Sequence, residues 1–307
     1  MDIRLDKCMS FGMSMGPTKY QQILPKVALE KGVISAVPIG GHFRYLGKIF
    51  NFDMKDEIPK NEIKEKLEKQ LQIISDLNVK SQTKLKIFSV FIPTQIMFDI
   101  KIYSFAPTFI SSVIDRLCTA YIRKWLECPV SSCINEWMSS PIKFCGLSTP
   151  SFADRAERAL LSKRNALMKS KNEAVRELWT ATSNANKKID KLLCDFGLKT
   201  ALNQIRADQT RASVSHFLGL SSQGLISKTV SDVIFPKQIE NWKSSIEKLP
   251  SFAYNFVRKA MTNQLPTLKN LKLWGCSTTD LCPMCGVSQS NKHVLSNCGL
   301  PSLWLDI

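Results

Sequence analysis

The stretch NEIKEKLEKQLQIISDL, residues 61–77, sets the fold class that we expect for this chain. Its apolar side chains recur at every third or fourth position: Ile63, Leu67, Leu71 and Ile74. Lys and Glu occupy the opposite side of the same stretch. Because an α-helix turns once in 3.6 residues, this spacing predicts an amphipathic helix with a solvated, charged face.

Helical patterns continue from this stretch toward the C-terminus. Residues 84–105 are strongly apolar, and we expect Pro93 to kink or restart a helix there. A second amphipathic helix is marked by Ile110, Ile114, Leu117, Tyr121 and Trp125. The segment 134–151 has the composition of a loop, whereas helical periodicity returns over the basic stretch 154–179 and again at roughly 186–212 and 236–262.

The N-terminal 55 residues have a different pattern. The stretches KCMSFGMSM (7–15) and FRYLGKIFNF (43–52) alternate apolar and polar positions and carry aromatic residues, which predicts short strands. Between them, PIGG (38–41) supplies turn residues. The sequence therefore predicts a mainly α protein with a small N-terminal β portion.

Charge narrows the choice of partners. The 307 residues suggest about two domains, and 42 Lys and Arg against 26 Asp and Glu leave a net charge of +16. Such a surplus favours polyanions, either nucleic acid or an anionic membrane surface. The apolar, uncharged run at residues 102–114 is shorter than the ~20 residues of a spanning helix and contains Pro107. The first residues carry charges where a signal peptide needs an apolar stretch, so we expect an intracellular protein without a membrane partner.

Ten cysteines must then be interpreted for a reducing environment. Four that stand alone among apolar neighbours are interpreted as small buried side chains: Cys8, Cys118, Cys145 and Cys194. Cys128 and Cys133 have no nearby His, which argues against a metal role. Cys276 precedes the terminal cluster described next and is a possible spare or competing ligand there.

The segment CPMCGVSQSNKHVLSNC, residues 282–298, has the spacing C-x2-C-x7-H-x4-C. Thiolates and imidazoles are the ligands that tetrahedral zinc prefers, and two cysteines separated by two residues can bind one ion through a tight turn. The pattern predicts a structural zinc site with four ligands: Cys282, Cys285, His293 and Cys298. Gly286 stands where such a turn needs a permissive backbone.

The order of these features resembles the C-terminal half of the reverse transcriptase/endonuclease polyprotein of site-specific, non-long-terminal-repeat retrotransposons. DKCMSF (6–11) is similar to the strand after the catalytic carboxylates, and FRYLGKIF (43–50) to the aromatic-Leu-Gly segment at the end of the palm. KIFSVFIPTQIMF (86–98) and RKWLECP (123–129) resemble successive thumb helices. The terminal knuckle matches in ligand type, order and position.

One further element, PIKFCGLSTPS (141–151), resembles the Gly-Leu loop of that family, which usually has two glycines where this chain has Cys145 and Gly146. The resemblance implies palm residues over 1–55, a helical thumb over 56–180, a helical connector over 181–275 and a zinc knuckle over 276–307. It also implies an RNA template, a DNA target or primer, and target-primed reverse transcription in the nucleus.

Neither active site of that family is found in this sequence. The family's aromatic-Ala-Asp-Asp turn has one lookalike, FAD at 152–154, which we interpret as a helix start because Arg155 follows Asp154. The Pro-Asp pair of the endonuclease does not occur. We therefore expect a fragment with no catalytic residues, whose magnesium ions would bind in missing palm and endonuclease domains.

Phosphate contacts are expected from basic residues on two helices of the thumb, because a duplex can be bound through its backbone without base readout. The candidates are Arg116, Arg123, Lys124, Arg155, Arg158, Lys163 and Arg164. Two alternatives remain open at this point. The chain could be a free-standing nucleic-acid-binding zinc protein, or an interaction protein whose zinc site only holds its terminus.

Overall fold

The computed structural model of the chain describes residues 8–30, 32–45, 47–53, 55–103, 105–132, 134–233 and 236–298. It divides into two compact units, Met1–Glu65 and Lys66–Ile307. The fold is mainly α with a small N-terminal β portion, as the sequence predicts. The polymerase subdomains and their limits stay predictions.

The N-terminal unit contains short strands in three small sheets. The strands are β1 (Met9–Ser10), β2 (Gly12–Met15), β3 (Tyr20–Ile23), β4 (Val27–Leu29), β5 (Gly32–Ala36), β6 (His42–Tyr45) and β7 (Lys48–Asn51). Strand β5 pairs in parallel with β1 and antiparallel with β4, whereas β2–β3 and β6–β7 are antiparallel hairpins. The strands predicted within 7–15 and 43–52 are therefore confirmed. The PIGG turn is also present, since the Gly41 N–H donates to the Pro38 carbonyl at 2.8 Å.

Aromatic rings form the apolar centre of this unit. The ring of Phe11, which follows β1, lies 5.2 Å from that of Phe43 and 6.2 Å from that of Phe52. The hairpin adds a further contact of 6.0 Å between Phe43 and Phe50. Within the described residues of this unit, Val37 is the one fully buried aliphatic side chain of the strand region 8–53. Such a small centre provides little burial for so many strands.

Helix α1 (Glu57–Asp76) confirms the amphipathic prediction from the opening stretch. Ile63, Leu67, Leu71 and Ile74 are all buried, and the Lys and Glu residues between them are mostly exposed.

Helix α2 (Ser81–Tyr103) runs through Pro93 without a break, so the predicted restart is wrong. A proline at this position removes one backbone hydrogen bond to Ser89. The surrounding side chains Phe88, Ile92 and Ile96 are buried. Burial of such an apolar face outweighs the loss of one bond, and the helix continues.

The next helical segment joins a short helix α3 (Pro107–Phe109), a π-helical turn (Ile110–Asp115) and α4 (Arg116–Leu126). Ile110 and Ile114 are fully buried, which confirms the amphipathic pattern. Segment 134–151, expected to be a loop, contains helix α5 (Ile134–Ser139) and a 3-10 turn. Tertiary packing accounts for this correction, because Trp137 and Met138 of α5 are buried in the helical body.

Helices α6 (Phe152–Met168), α7 (Glu173–Ala181) and α8 (Lys187–Gly219) follow. Asp154 lies in the first turn of α6 behind the Ser151 cap, as the helix-start interpretation predicts. Helix α8 is two helices joined at Gly197, whose φ of 70° and ψ of 169° are open to glycine. Leu161 of α6 packs with apolar residues of α8 in one cluster.

The remaining helices are α9 (Leu225–Val233), α10 (Pro236–Glu247), α11 (Ser251–Met261) and α12 (Leu268–Leu273), and a π-helical turn covers His293–Asn297. The single pattern expected over 236–262 is thus divided before Pro250. No helix in the described part of the chain is both long and apolar enough to span a membrane.

Candidate metal centre and basic surface

The four predicted zinc ligands lie together near the end of the described chain. The ligand atoms of Cys282, Cys285, His293 and Cys298 are all within 4.8 Å of one another. The two sulfur atoms of Cys282 and Cys298 are 3.9 Å apart, and Cys285 Sγ is 3.4 Å from His293 Nε2. The group could therefore hold one metal ion.

These distances fit zinc. Bonds of about 2.3 Å to sulfur and about 2.0 Å to nitrogen place neighbouring ligand atoms of a tetrahedron about 3.5–3.8 Å apart. The measured Cys282–Cys298 and Cys285–His293 separations are close to these edges. Three thiols and one imidazole are also the donor set of structural zinc sites, which are closed to substrate.

A tight turn brings the first two ligands together. The Gly286 N–H donates to the Cys282 carbonyl at 2.8 Å, and the Cys282 N–H donates to the Val287 carbonyl at 2.7 Å. Gly286 has a φ of 70°, which is the left-handed region that glycine tolerates, as the sequence predicts. A β-bridge between Leu281 and Ser288 closes the base of the turn.

The third and fourth ligands lie at the two ends of the π-helical turn. The His293 N–H donates to Ser290 Oγ at 3.2 Å, which holds the beginning of the turn. The Cys298 N–H donates to the His293 carbonyl at 2.9 Å, so the backbone itself fixes the distance between these ligands.

The local electrostatics favour thiolate. The backbone N–H of Met284 is the main cause that lowers the pKa of Cys282 to about 6, and the His293 side chain lowers it further. A thiol that loses its proton near neutral pH is ready to bind a cation, because thiolate is the ligand form.

The cluster is attached to helix α12. The first N–H of that helix, from Leu268, donates to Gln289 Oε1 at 2.9 Å, and the Lys269 N–H donates to the Gln289 carbonyl at 3.2 Å. Lys272 Nζ lies 2.7 Å from Asp280 Oδ1, and Ser288 Oγ donates to Asp280 Oδ2 at 2.9 Å. The knuckle is therefore a fixed part of the helical body.

The other cysteines divide into buried and exposed groups. Cys118 and Cys145 are buried as predicted, and Cys8 is half-buried, whereas Cys194 is exposed, so that prediction is wrong for Cys194. Cys194 lies on the solvent side of α8, where an isolated apolar residue costs little. Cys276 is exposed and is not a member of the ligand group.

Of the pair Cys128 and Cys133, only Cys128 lies within the described residues. Cys128 is half-buried, and burial is the main cause that raises the pKa of its thiol to about 11. Such a thiol is a poor metal ligand at neutral pH. Cys133 lies outside the described residues.

The predicted phosphate contacts on α4 have different surroundings. Arg116 and Lys124 are exposed. Arg123 is half-buried, and its Nη2 donates to the Ser132 carbonyl at 3.0 Å. Arg123 therefore stabilises the chain after α4, and Arg116 and Lys124 are the cations of this helix that face solvent.

On α6, three of the predicted cations remain near the surface. Arg155 and Arg158 are half-buried, with Arg155 Nε donating to the Pro150 carbonyl at 3.3 Å and Arg158 Nη1 donating to Gln209 Oε1 at 2.5 Å. Burial is the main cause that lowers the pKa of both guanidinium groups. Lys163 is exposed, with Nζ 3.4 Å from the Lys101 carbonyl.

Arg164 is withdrawn from the predicted surface. Its side chain is only 2% exposed and forms hydrogen bonds with both carboxylate oxygens of Asp190. It also donates to the Trp179 carbonyl at 2.8 Å and to Thr182 Oγ1. A phosphate cannot reach a guanidinium group that is enclosed in this way.

A second cation that was not identified from the sequence, Arg206, lies beside Arg158. Arg206 of α8 is exposed and lines a cleft of about 350 Å³ together with Arg158 and Gln209. The helical period of α8 could have placed Arg206 on the same face as Gln209, three residues later. Tertiary packing places α6 beside this face of α8. No local sequence pattern predicts that arrangement.

No model of a known protein family matches this chain, and comparison with proteins of curated function finds no significant similarity. The class that the fold and site define is therefore a mainly α protein with a Cys3His group that could hold a metal ion.

Proposed function

We propose that this chain is the palm end, thumb, connector and zinc knuckle of a retrotransposon RNA-directed DNA polymerase with an associated endonuclease. Its role is to bind the template–primer duplex during target-primed reverse transcription in the nucleus. The nucleotidyltransferase reaction belongs to the catalytic part of the palm and the nuclease reaction to an endonuclease domain. The catalytic motifs of both are missing from this sequence, and magnesium would bind there. By itself the chain catalyses neither reaction.

The observation that carries the proposal is a closed Cys3His cluster attached to a strongly basic helical body. The ligand atoms lie within 4.8 Å of one another, and the chain has a net charge of +16. Exposed cations on α4, at Arg116 and Lys124, are available to phosphates. Backbone contacts of this kind suit an RNA–DNA hybrid, because its shape and phosphates are read more readily than its bases.

The surface of the N-terminal unit also supports the fragment interpretation. Large apolar side chains of its strands and turns are exposed: Met9, Met13, Met15, Tyr20, Ile23, Val33, Ile39 and Tyr45. Met15 and Tyr20 lie directly opposite each other in the β2–β3 hairpin, so exposed apolar side chains are adjacent there. Adjacent exposed apolar side chains often mark a surface that another protein segment covers. The rest of a polymerase palm is the occupant that the resemblance suggests.

Binding to a labelled RNA–DNA hybrid tests the proposal. We expect the zinc-loaded chain to bind the hybrid with an affinity that falls steeply as salt rises, since bound phosphates release counterions. Replacing Arg116 and Lys124 by Gln should weaken binding by about tenfold and reduce the salt slope by about 2. The matched control replaces Lys64 and Lys69, exposed on the solvated face of α1, and should change little.

Two outcomes contradict the proposal in different ways. Absence of salt-dependent binding would leave an interaction protein whose zinc only holds its terminus. Primer extension by the purified chain with Mg²⁺ would show a polymerase site that the fragment interpretation excludes. The second candidate, a free-standing nucleic-acid-binding zinc protein, is separated by sequencing the encoding locus on both sides. In-frame stops there favour it, and an aromatic-Ala-Asp-Asp turn upstream favours the polymerase.

A further inference from the structure

A buried cation in the helical body has no counter-charge of its own. Arg258 of α11 is 3% exposed, and its guanidinium group lies 5.0 Å from the Tyr254 ring and 5.8 Å from the Trp137 ring. Its Nε has no hydrogen-bond partner. Aromatic rings offset part of the cost of burying a guanidinium group, but they do not replace hydrogen-bond acceptors.

The nearby carboxylate is already engaged. Glu247 at the end of α10 lies 3.0 Å from Lys86 Nζ and 3.6 Å from Lys243 Nζ. No ion pair within 4.0 Å joins Arg258 to a carboxylate in the described part of the chain. Three cations therefore share one anion in this neighbourhood, and a buried cation without a partner is costly.

Arg258 and these neighbours line a cleft of about 200 Å³ in the helical body. The volume is several times that of a water molecule, about 30 Å³. Gln82, Ser89 and Thr149 also line it. Each of them already donates to a backbone carbonyl of the chain, so the donors that the cleft offers to a ligand are those of its cations. The cleft is open to solvent on the side of Lys86, whose side chain is 65% exposed.

The Gly-Leu element forms one wall. Gly146 and Leu147 line the cleft, and a Cβ on Gly146 would lie 2.0 Å from the Ser140 carbonyl oxygen. Glycine therefore lets this loop pack closely on the end of α5. The loop follows Trp137, whose Nε1 donates to the Cys145 carbonyl at 2.9 Å, so the wall and the ring beside Arg258 are held together.

We propose that this cleft binds a phosphate group, with Arg258 at its base and Lys243 and Lys86 at its rim. A guanidinium group with free donors and two ammonium groups matches a phosphate in charge and in hydrogen bonding. The bound phosphate belongs either to a nucleic-acid backbone or to free inorganic phosphate. The first of these assignments rests on the proposed function. It gives the Gly-Leu loop a role in shaping an anion site.

The test uses the full, zinc-loaded chain and inorganic phosphate at constant ionic strength, with chloride as the reference salt. Phosphate is expected to raise the midpoint of thermal unfolding in a saturable manner. Arg258→Gln replaces the guanidinium group by a planar, neutral amide, and Lys243→Gln removes a positive charge from the rim. Each should weaken phosphate affinity by about tenfold or more. Lys248→Gln is the matched control, since Lys248 is exposed on the same segment and does not line the cleft.

The same variants are then tested with the RNA–DNA hybrid. Loss of hybrid binding in Arg258→Gln and Lys243→Gln, but not in Lys248→Gln, supports the site and assigns the phosphate to nucleic acid. If the chain binds phosphate but not the hybrid, the site is one for a free anion. That result contradicts the proposed function and leaves the phosphate site supported. If Arg258→Gln does not fold, Lys86→Gln and Lys243→Gln decide the question. Unchanged affinity of these rim variants for both phosphate and the hybrid overturns the inference.

Discussion

The guanidinium group of Arg164 on α6 forms a double hydrogen bond with the carboxylate of Asp190 at the beginning of α8, and both side chains are buried. Burial alone would raise the pKa of Asp190, but hydrogen bonds from Arg164 and Ser183 outweigh it and lower the pKa. The pair joins two helices whose apolar residues form one cluster. Its role is therefore in stability, and a contact with nucleic acid is excluded by its burial.

Replacing Arg164 by Met should lower the free energy of unfolding by about 3–5 kcal/mol, because Asp190 is left as a buried charge without its partner. Urea unfolding measures this change. Arg211→Met is the control, since its ion pair with Asp208 is exposed and should contribute less than about 1 kcal/mol. Equal losses in both variants, or weaker hybrid binding by folded Arg164→Met, would contradict this assignment.

Asp115 predicts a pH dependence of stability. Its carboxylate accepts the N–H groups of Phe152 at 2.7 Å and Ala153 at 3.1 Å, so it caps α6 from a distant position in sequence. Burial nevertheless raises its pKa from 3.8 to about 6. The protonated form is therefore favoured by folding, and this contribution to stability is full below about pH 4 and disappears as pH rises through about 6.

Asp115→Asn removes that titration. The free energy of unfolding of the variant, minus that of the native chain, should increase by about 2 kcal/mol between pH 4 and pH 7. Urea unfolding at several pH values measures the difference, from which the titrations shared by both proteins cancel. A constant difference over this range would show that folding does not raise the pKa of Asp115.

The metal centre predicts about one zinc per chain, measured by elemental analysis of protein purified without chelator. Cys285→Ser should lower zinc affinity by at least about tenfold, because it removes one of four ligands. Cys276→Ser is the matched control, since this cysteine is exposed, close in sequence and outside the ligand group. Undiminished zinc in Cys285→Ser would remove the proposed site.

The close packing of Gly146 predicts that a larger residue at this position destabilises the fold. In Gly146→Ala the new Cβ would meet the Ser140 carbonyl oxygen at 2.0 Å, and backbone must move to relieve the contact. We expect a loss of about 1–3 kcal/mol in the free energy of unfolding. Gly219→Ala has nothing within 4 Å of its Cβ and should be neutral or stabilising by up to about 1 kcal/mol. Similar values for the two variants would argue against close packing of the Gly-Leu loop.

Local patterns determined much of the fold. Helix α1 and the aromatic strands near Phe43 follow from hydrophobic periodicity. This signal is local, because a helix repeats its apolar positions every three or four residues and a strand every two. The Cys3His group also follows from the sequence in part, because the short spacing between Cys282 and Cys285 forces these two residues close whatever the rest of the chain does.

Tertiary structure decided what lies far apart in sequence. Continuation of α2 through Pro93, burial of Trp137 in a segment with loop composition, and removal of Arg164 from the surface all depend on which face another helix covers. The environment of Arg258 also depends on tertiary packing, because the ring of Trp137 comes from α5 and that of Tyr254 from α11. A charged residue looks alike in sequence whether solvent or another helix lies beside it, because burial is a property of the packed chain.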